Sequence, residues 1–180
     1  DKSYPWIAVT AEEFPRVVST RRLVKDGTQY FGPYGSLAAQ KAVLEFIRET
    51  IPLRTCRQKM SEESVRNGKH AICLEYHIDN CKGPCTARCS REEYLGYVAL
   101  ATSILKGDLR SVRTYLEEEM MREAKGYRFE AALRYKARLE ALERYSSHSV
   151  IVSAKIGDVD CFSLLVDGDA DYCNFLRLRN

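Results

Sequence analysis

The sequence has no run of about 18 consecutive apolar residues, so it predicts no transmembrane helix and no membrane partner. Its first residues also lack the apolar core and cleavage site of a secretory signal peptide. The formal net charge of +3 is too small to indicate a nucleic-acid partner by itself. We therefore expect a cytoplasmic protein. Because the chain does not begin with Met and stops in mid-pattern, we also expect it to be a segment of something longer.

Familiar catalytic signatures are missing as well. The sequence contains no Gly-rich phosphate loop, no Gly-x-Ser-x-Gly and no His-Glu-x-x-His motif. Carboxylates are common, but no pair of them can be singled out for acid–base work. The residues alone therefore nominate no catalytic site.

Cysteine is the residue type that the sequence does concentrate. The 180 residues contain seven cysteines, and five of them lie between positions 56 and 89. Without a secretory signal, clustered cysteines favour metal or redox chemistry over stable disulfides. The candidate ligands are Cys56, Cys73, Cys81 and Cys85, which are separated by 16, 7 and 3 residues. Cys89 is an additional neighbour whose role stays open.

The metal at this site is not decided by the spacing. No Cys-x-x-Cys pair is present, although zinc knuckles usually have one. Four thiolates suit either a tetrahedral zinc ion or an iron–sulfur cluster, and His70 and His77 are near enough to substitute for a thiolate. The alternative is that these cysteines are small buried apolar residues. Cys161 and Cys173 lie in alternating β patterns and are predicted to be core residues.

The remaining chain predicts an α+β fold. Residues 4–34 have the pattern of strands, with Asp26-Gly27 as a hairpin turn. Ser36 is placed to cap a helix that Pro52 ends. Residues 53–90 show no clean period and form an irregular Cys-rich segment. Residues 150–180 return to a β pattern, with a turn at Asp167-Gly168.

Three helices are predicted between the Cys-rich segment and the C-terminal strands. Ser90 and Glu93 form a capping-box pattern for a helix that Gly107 ends. Helices near 108–125 and 128–147 are joined by a short turn, which predicts an antiparallel hairpin. Five residues are predicted to lie in or beside the seam of this hairpin, namely Leu116, Met120, Phe129, Ala132 and Leu139.

Two surfaces are candidate binding sites. The hairpin has more apolar residues than one seam can bury, so it is predicted to pack either on a partner or within the chain's own core. Basic residues interspersed with aromatic ones fit contacts to a phosphate backbone, although a solvated face is the plainer interpretation. The candidate phosphate-contacting residues are Arg21, Arg22, Lys25, Arg54, Arg57 and Lys59.

Several motifs together resemble one protein family. In order along the chain they are "FPRVVSTRRLVKDGTQYFGPYGS", "PLRTC", "CLEYHIDNCKGPC" and "FEAALRYKARLEAL". This order resembles the UvrC family, the C subunits of the bacterial UvrABC excinuclease, over essentially the whole chain. The resemblance implies a nucleotide excision repair endonuclease that incises damaged double-stranded DNA on both sides of a lesion, after loading of the UvrB subunit.

The resemblance also implies a division of the chain. Residues 1–52 correspond to the end of a GIY-YIG nuclease domain, 53–90 to a Cys-rich region and 91–107 to a connecting helix. Residues 108–147 correspond to the UVR helical hairpin, and 148–180 to the first strands of an RNase H-like domain. The catalytic residues of both nuclease domains, with their Mg²⁺ or Mn²⁺, fall outside these residues. The segment alone is therefore expected to cut nothing.

Site roles follow from the same resemblance. Cys56, Cys73, Cys81 and Cys85 are expected to hold a [4Fe–4S] cluster, with zinc as the alternative. The hairpin is expected to bind UvrB near its loop end, and the residues concerned are Met120, Tyr127, Phe129, Glu130, Ala132 and Arg134. A different function class stays open, namely a stand-alone metal-binding adaptor with a UVR-type interaction hairpin. Such adaptors usually carry Cys-x-x-Cys pairs, which this chain lacks.

Overall fold

A computed structural model describes residues 4–148, 159–168 and 170–178, in two compact units divided between residues 149 and 150. The described part of the chain is mixed helix and strand, which confirms the predicted α+β class. The strands of the first unit are β1 (Trp6–Val9), β2 (Val17–Thr20) and β3 (Gln29–Phe31). Its helices are α1 (Leu37–Thr50), α2 (Glu62–Arg66), α3 (Leu74–His77), α4 (Arg91–Leu105), α5 (Arg110–Lys125) and α6 (Phe129–His148), with a 3-10 turn at Pro84–Thr86. The second unit contains β4 (Val159–Asp167) and β5 (Ala170–Leu178).

The three-stranded sheet corrects the predicted hairpin at Asp26-Gly27. Its order is β2-β1-β3, and both outer strands run antiparallel to β1, so β2 and β3 do not pair with each other. The turn itself exists, since Gly27 has a φ of +88° and the Asp26 carboxylate accepts a hydrogen bond from the Thr28 amide. The Tyr30 hydroxyl closes the loop between β2 and β3, since it accepts a hydrogen bond from the Val24 amide and donates one to the Val24 carbonyl. A local turn signal therefore does not determine which strand is the neighbour.

Helix starts follow the predicted caps closely. The Ser36 side chain accepts a hydrogen bond from the Ala39 amide at the start of α1, and the Ser90 side chain accepts one from the Glu93 amide at the start of α4. Gly107 follows α4 with a φ of +83°, a conformation that favours glycine. These contacts satisfy amide groups that a helix start would otherwise leave unpaired.

A single hydrophobic core joins most elements of the first unit. Ile47 of α1, Ile51 at its C-terminal cap, Tyr94 of α4, Leu116 of α5 and Leu142 of α6 are each no more than 1% exposed. The Tyr94 hydroxyl donates to the Pro15 carbonyl, so this buried phenol has a partner. The core also reaches the Cys-rich segment, where it includes Met60, Cys85 and Cys89. The Cys-rich segment is therefore packed on the helices and is anchored by them.

Helices α5 and α6 form the predicted antiparallel hairpin. Arg113 near the start of α5 pairs with Glu143 near the end of α6, at 3.1 Å. At the opposite end, Arg128 pairs with Glu123 across the connecting turn. Only opposite chain directions allow both contacts.

One of the five residues predicted in or beside the seam is not buried there. Leu116 is buried, Met120 and Leu139 pack on the core, and Ala132 is half-buried. Phe129 is instead 65% exposed, because it is the first residue of α6 and projects beyond the end of the seam.

The second unit is a two-stranded antiparallel hairpin, in which β4 and β5 pair from Val159–Leu178 to Asp167–Ala170. This confirms the turn predicted at Asp167-Gly168. Cys161 and Cys173 were expected in a core, but both are exposed, because two strands alone cover neither of their faces. Within the described residues, no helix is long and apolar enough to cross a membrane.

Candidate functional site

The four predicted cysteine ligands line one cavity. Cys56, Cys73, Cys81 and Cys85 share its wall with Arg54, Thr55, Met60, Glu75, Tyr76, Gly83 and Pro84. Cys81 and Cys85 are buried, and Cys56 and Cys73 are half-buried. All seven cysteines, including these four, have free thiols. Folding therefore brings together side chains that lie up to 29 positions apart in sequence (85 − 56).

Short structured pieces of chain position three of these cysteines. Cys73 immediately precedes α3, and Cys85 lies in the 3-10 turn. Gly83, between Cys81 and Cys85, adopts a φ of +66°. An added Cβ at Gly83 would lie 2.8 Å from the Tyr76 ring, so the chain passes the ring at a distance that only glycine allows. The Gly83 amide donates a hydrogen bond to Cys81 Sγ at 3.4 Å.

Burial favours the protonated form of two of the cavity thiols, Cys81 and Cys85, in the metal-free chain. It raises the pKa of Cys81 to about 11, although the hydrogen bond from Gly83 acts in the opposite direction. Burial also raises the pKa of Cys85, and charge on Cys56 or Cys73 raises it further. These sulfurs are therefore close enough to influence one another. A bound cation would reverse the preference, because metal ligation requires thiolates.

The described residues contain no preassembled site for a single metal ion. Across the described residues, no three His, Cys, Asp or Glu side chains converge as ligands of one metal ion do. A zinc ion needs Zn–S distances of about 2.3 Å, which places the four sulfurs within roughly 4 Å of each other. An iron–sulfur cluster lies between its ligands, so its thiolates line a larger space without meeting at a point.

The other sulfur and imidazole candidates lie elsewhere. Cys89 is buried in the hydrophobic core, where burial raises its pKa to about 12, and it does not line the cavity. His70 Nε2 is hydrogen-bonded to the Ser64 hydroxyl, and the His77 ring packs edge-on against Tyr76. Neither imidazole lines the cavity, so neither is placed as a substitute ligand.

Arg54 corrects the predicted phosphate-contacting set. It is 2% exposed, and its guanidinium pairs with Glu12 and donates to the Phe14 carbonyl at 2.8 Å. A side chain enclosed in this way is not placed to contact DNA. The other five basic candidates, Arg21, Arg22, Lys25, Arg57 and Lys59, are all exposed. No local pattern distinguishes the buried Arg54 from the five exposed basic residues, because its partner Glu12 lies 42 positions away.

The loop end of the α5–α6 hairpin exposes an apolar surface that we name the tip patch, defined by Tyr127, Phe129 and Leu133. Their side chains are 82%, 65% and 65% exposed. The rings of Tyr127 and Phe129 pack edge-on with centroids 6.2 Å apart, and Leu133 lies four residues after Phe129 on the same helical face. Leu133 was not among the predicted partner-binding residues, although its spacing from Phe129 indicates the shared face.

The other predicted partner-binding residues have different environments. Glu130 is exposed in the first turn of α6. Met120 and Ala132 are half-buried, and Met120 packs on the core. Arg134 is half-exposed but pairs with the Asp79 carboxylate at 3.0 Å, which ties it to the Cys-rich segment.

Most of these elements match a known protein family. The model of the UvrC/Cho excinuclease middle domain matches residues 4–104, more than half of the chain. The chain belongs to the UvrC/Cho excinuclease family. The match spans the sheet, α1, the cysteine cavity and nearly all of α4, and these elements share one core with α5 and α6.

Relatives in this family match the whole chain. It is 44% identical over 180 residues to the UvrABC system protein C of Flavobacterium johnsoniae, covering 100% of this chain and 30% of that protein. It is 40% identical to the protein of the same name from Chlorobaculum tepidum, covering 99% of this chain and 29% of that protein. The chain thus spans about 30% of the length of these curated relatives. No solved structure matches it.

Proposed function

We propose that this chain is the central segment of a UvrC-type subunit in a nucleotide excision repair endonuclease. Family membership carries this proposal, supported by UvrABC system proteins that match from the first residue to the last. The whole subunit incises damaged double-stranded DNA on both sides of a lesion, after UvrB is loaded there. It works in the cytoplasm, and Mg²⁺ or Mn²⁺ serves nuclease domains that lie outside these residues. The division of residues 1–180 into parts of those domains stays a prediction.

Within that subunit, the cysteine cavity is the site of a [4Fe–4S] cluster. The observation that supports it is that Cys56, Cys73, Cys81 and Cys85 line one cavity, as the ligands of one cluster must. Four thiolates are the usual ligand set of such a cluster, which supplies a rigid, redox-capable centre when bound. The chain's own contribution is to orient the four sulfurs and to keep Cys81 and Cys85 away from water. Mononuclear zinc is the alternative.

The tip patch is the docking surface for UvrB. Helix-on-helix recognition needs exposed apolar anchors on one helical face, which Phe129 and Leu133 provide. The exposed basic residues, including Arg21, Arg22 and Lys25, lie on the surface where phosphate contacts are possible. A stand-alone adaptor would use the same hairpin, but the match of residues 4–104 to an excinuclease domain favours the nuclease subunit.

The test of the cluster uses two cysteines of similar burial. We expect anaerobically purified chain to contain iron and acid-labile sulfide and to absorb broadly in the visible range. Cys81→Ser should lose the iron, because Cys81 lines the cavity. Cys89→Ser is the matched control and should keep it, because Cys89 is equally buried, at 6%, but lies outside the cavity wall. Equal iron content in the two variants would contradict the assignment, and stoichiometric zinc without sulfide would replace the cluster by the alternative.

A further inference from the structure

A buried arginine connects the cysteine cavity to the loop that follows β1. Arg54 is 2% exposed and lines the cavity with the four cysteines. Its Nη2 pairs with Glu12, and its Nε donates to the Phe14 carbonyl at 2.8 Å. Because an unpaired buried charge is costly, these two contacts fix where the guanidinium lies.

The remaining guanidinium nitrogen is directed at the chain that carries Cys56. Nη1 donates to the Cys56 carbonyl at 3.2 Å and to the Gln58 carbonyl at 2.9 Å, and it lies 3.7 Å from Cys56 Sγ. One planar group therefore holds both the backbone around this cysteine and its sulfur. Such fixed, multidentate geometry is a property of arginine that lysine does not share.

Cys56 is the cavity cysteine with the least local support. The other three lie between residues 73 and 85, in or beside α3 and the 3-10 turn. Cys56 lies in an irregular stretch, and 16 residues separate it from Cys73, the nearest of them in sequence. Cys56 packs on the core, and the hydrogen bonds that the structure shows to its carbonyl and sulfur come from Arg54, which Glu12 and Phe14 anchor from outside that stretch.

We propose that Arg54, anchored by Glu12, is the positioning residue of the cysteine site. It sets the orientation of Cys56 and supplies a positively charged N–H group to that sulfur. This inference rests on the cluster proposed above. Hydrogen bonds to ligand sulfurs stabilise the more negative, reduced form of a cluster and so raise its reduction potential. The contact between Arg54 Nη1 and Cys56 Sγ therefore affects the reduction potential of the site as well as its packing.

The variants are chosen to separate positioning from general stability. Arg54→Lys keeps the charge but removes the planar set of donors. Arg16→Lys is the matched control, because Arg16 binds the same Glu12 carboxylate through two nitrogens and does not line the cavity. Glu12→Gln is a second variant that disturbs the position of Arg54 less strongly, since it keeps the arginine but removes its counter-charge. Circular dichroism identifies any variant that fails to fold.

The first readouts are the midpoint potential of the anaerobically purified chain and its rate of iron loss to a chelator. Arg54→Lys is expected to have a more negative potential and to lose iron roughly 10- to 100-fold faster, the range typical of groups that orient metal ligands. Glu12→Gln should shift both quantities in the same direction by less, and Arg16→Lys should match the unmodified chain. A folded Arg54→Lys with unchanged potential and unchanged iron loss would overturn the inference.

The second readout requires no cluster. In metal-free chain, the alkylation rate of each cysteine is followed by mass spectrometry, and Cys73 is the internal reference because it is half-buried like Cys56. Arg54→Lys should change the rate at Cys56 relative to Cys73, whereas Arg16→Lys should not. If the unmodified chain holds no iron, the proposed cluster fails, and this ratio alone still decides whether Arg54 positions Cys56. An unchanged ratio overturns the inference.

Discussion

Gly83→Ala is expected to destabilise the chain more than Gly68→Ala, although both glycines have nearly the same backbone conformation. Their φ values are +66° and +64°, so alanine pays the left-handed cost of about 1–2 kcal/mol at either position. At Gly68, nothing lies within 4 Å of an added Cβ. At Gly83 the added atom would lie 2.8 Å from the Tyr76 ring, and overpacking of this kind adds roughly 1–3 kcal/mol. The expected totals are about 1–2 kcal/mol for Gly68→Ala and about 2–5 kcal/mol for Gly83→Ala.

Urea unfolding of the metal-free chain measures this difference directly. Both variants lose the same unfolded-state freedom, so that contribution cancels in the comparison. In a Tyr76→Ala background, Gly83→Ala should cost little more than Gly68→Ala, because the ring atoms are gone and only the Arg88 Cβ, at 3.2 Å, is still close to the new methyl group. Equal free energies of unfolding for the two glycine variants would refute the argument, and so would an excess that survives removal of the ring. Gly83 also separates Cys81 from Cys85, so Gly83→Ala should lower the iron content and Gly68→Ala should not.

Three further outcomes are expected. Phe129→Ala should weaken UvrB binding by about fivefold or more in calorimetry. It should change the unfolding free energy by no more than about 0.5 kcal/mol, because the ring is exposed. The control is Leu37→Ala, at an exposed apolar residue of α1, which should change neither quantity. Arg22→Ala should reduce the slope of log affinity for double-stranded DNA against log salt by about 0.9, and Lys41→Ala should leave the slope unchanged if the phosphate surface is where we propose. Glu12 is partly buried, which raises its pKa, but its arginine partners outweigh this and hold the pKa below 4.5. Its contribution to the free energy of unfolding is therefore present above pH 4.5 and is lost as the pH falls through that lowered pKa. The stability difference between the unmodified chain and Glu12→Gln should consequently shrink on acidification.

The four long helices were predictable because their signals are local, whereas the short helices α2 and α3 lie in the segment that was predicted to be irregular. Ser36 and Ser90 each bind an amide three residues later, and that relation is visible in the sequence. The turn between β4 and β5 is equally local. Strand order was not predictable in this way, since β1 separates β2 from β3 through pairings that no turn residue specifies.

The candidate site was predictable in its members but not in its supports. Four cysteines in one segment indicate a shared site, and the fold does place them around one cavity. Arg54 was misassigned because a basic residue among other basic residues has the pattern of a surface. Its burial depends on Glu12 and Phe14, about 40 positions away, and no periodicity links such distant residues. Phe129 shows the opposite error, because helical spacing predicts a shared face without showing where the core ends.

Asp79 attaches the cysteine segment to helix α6 of the hairpin. It lies two residues before Cys81, and its carboxylate pairs with Arg134 at 3.0 Å while its carbonyl accepts from Arg138 at 2.9 Å. Two turns of α6 therefore hold the chain that leads into the cavity. Reversing the charge of Arg134 would place a carboxylate against Asp79 and disturb this attachment. A loss of UvrB binding in such a variant would consequently have two causes, whereas Phe129 and Leu133 test the tip patch without touching the cysteine segment's anchor.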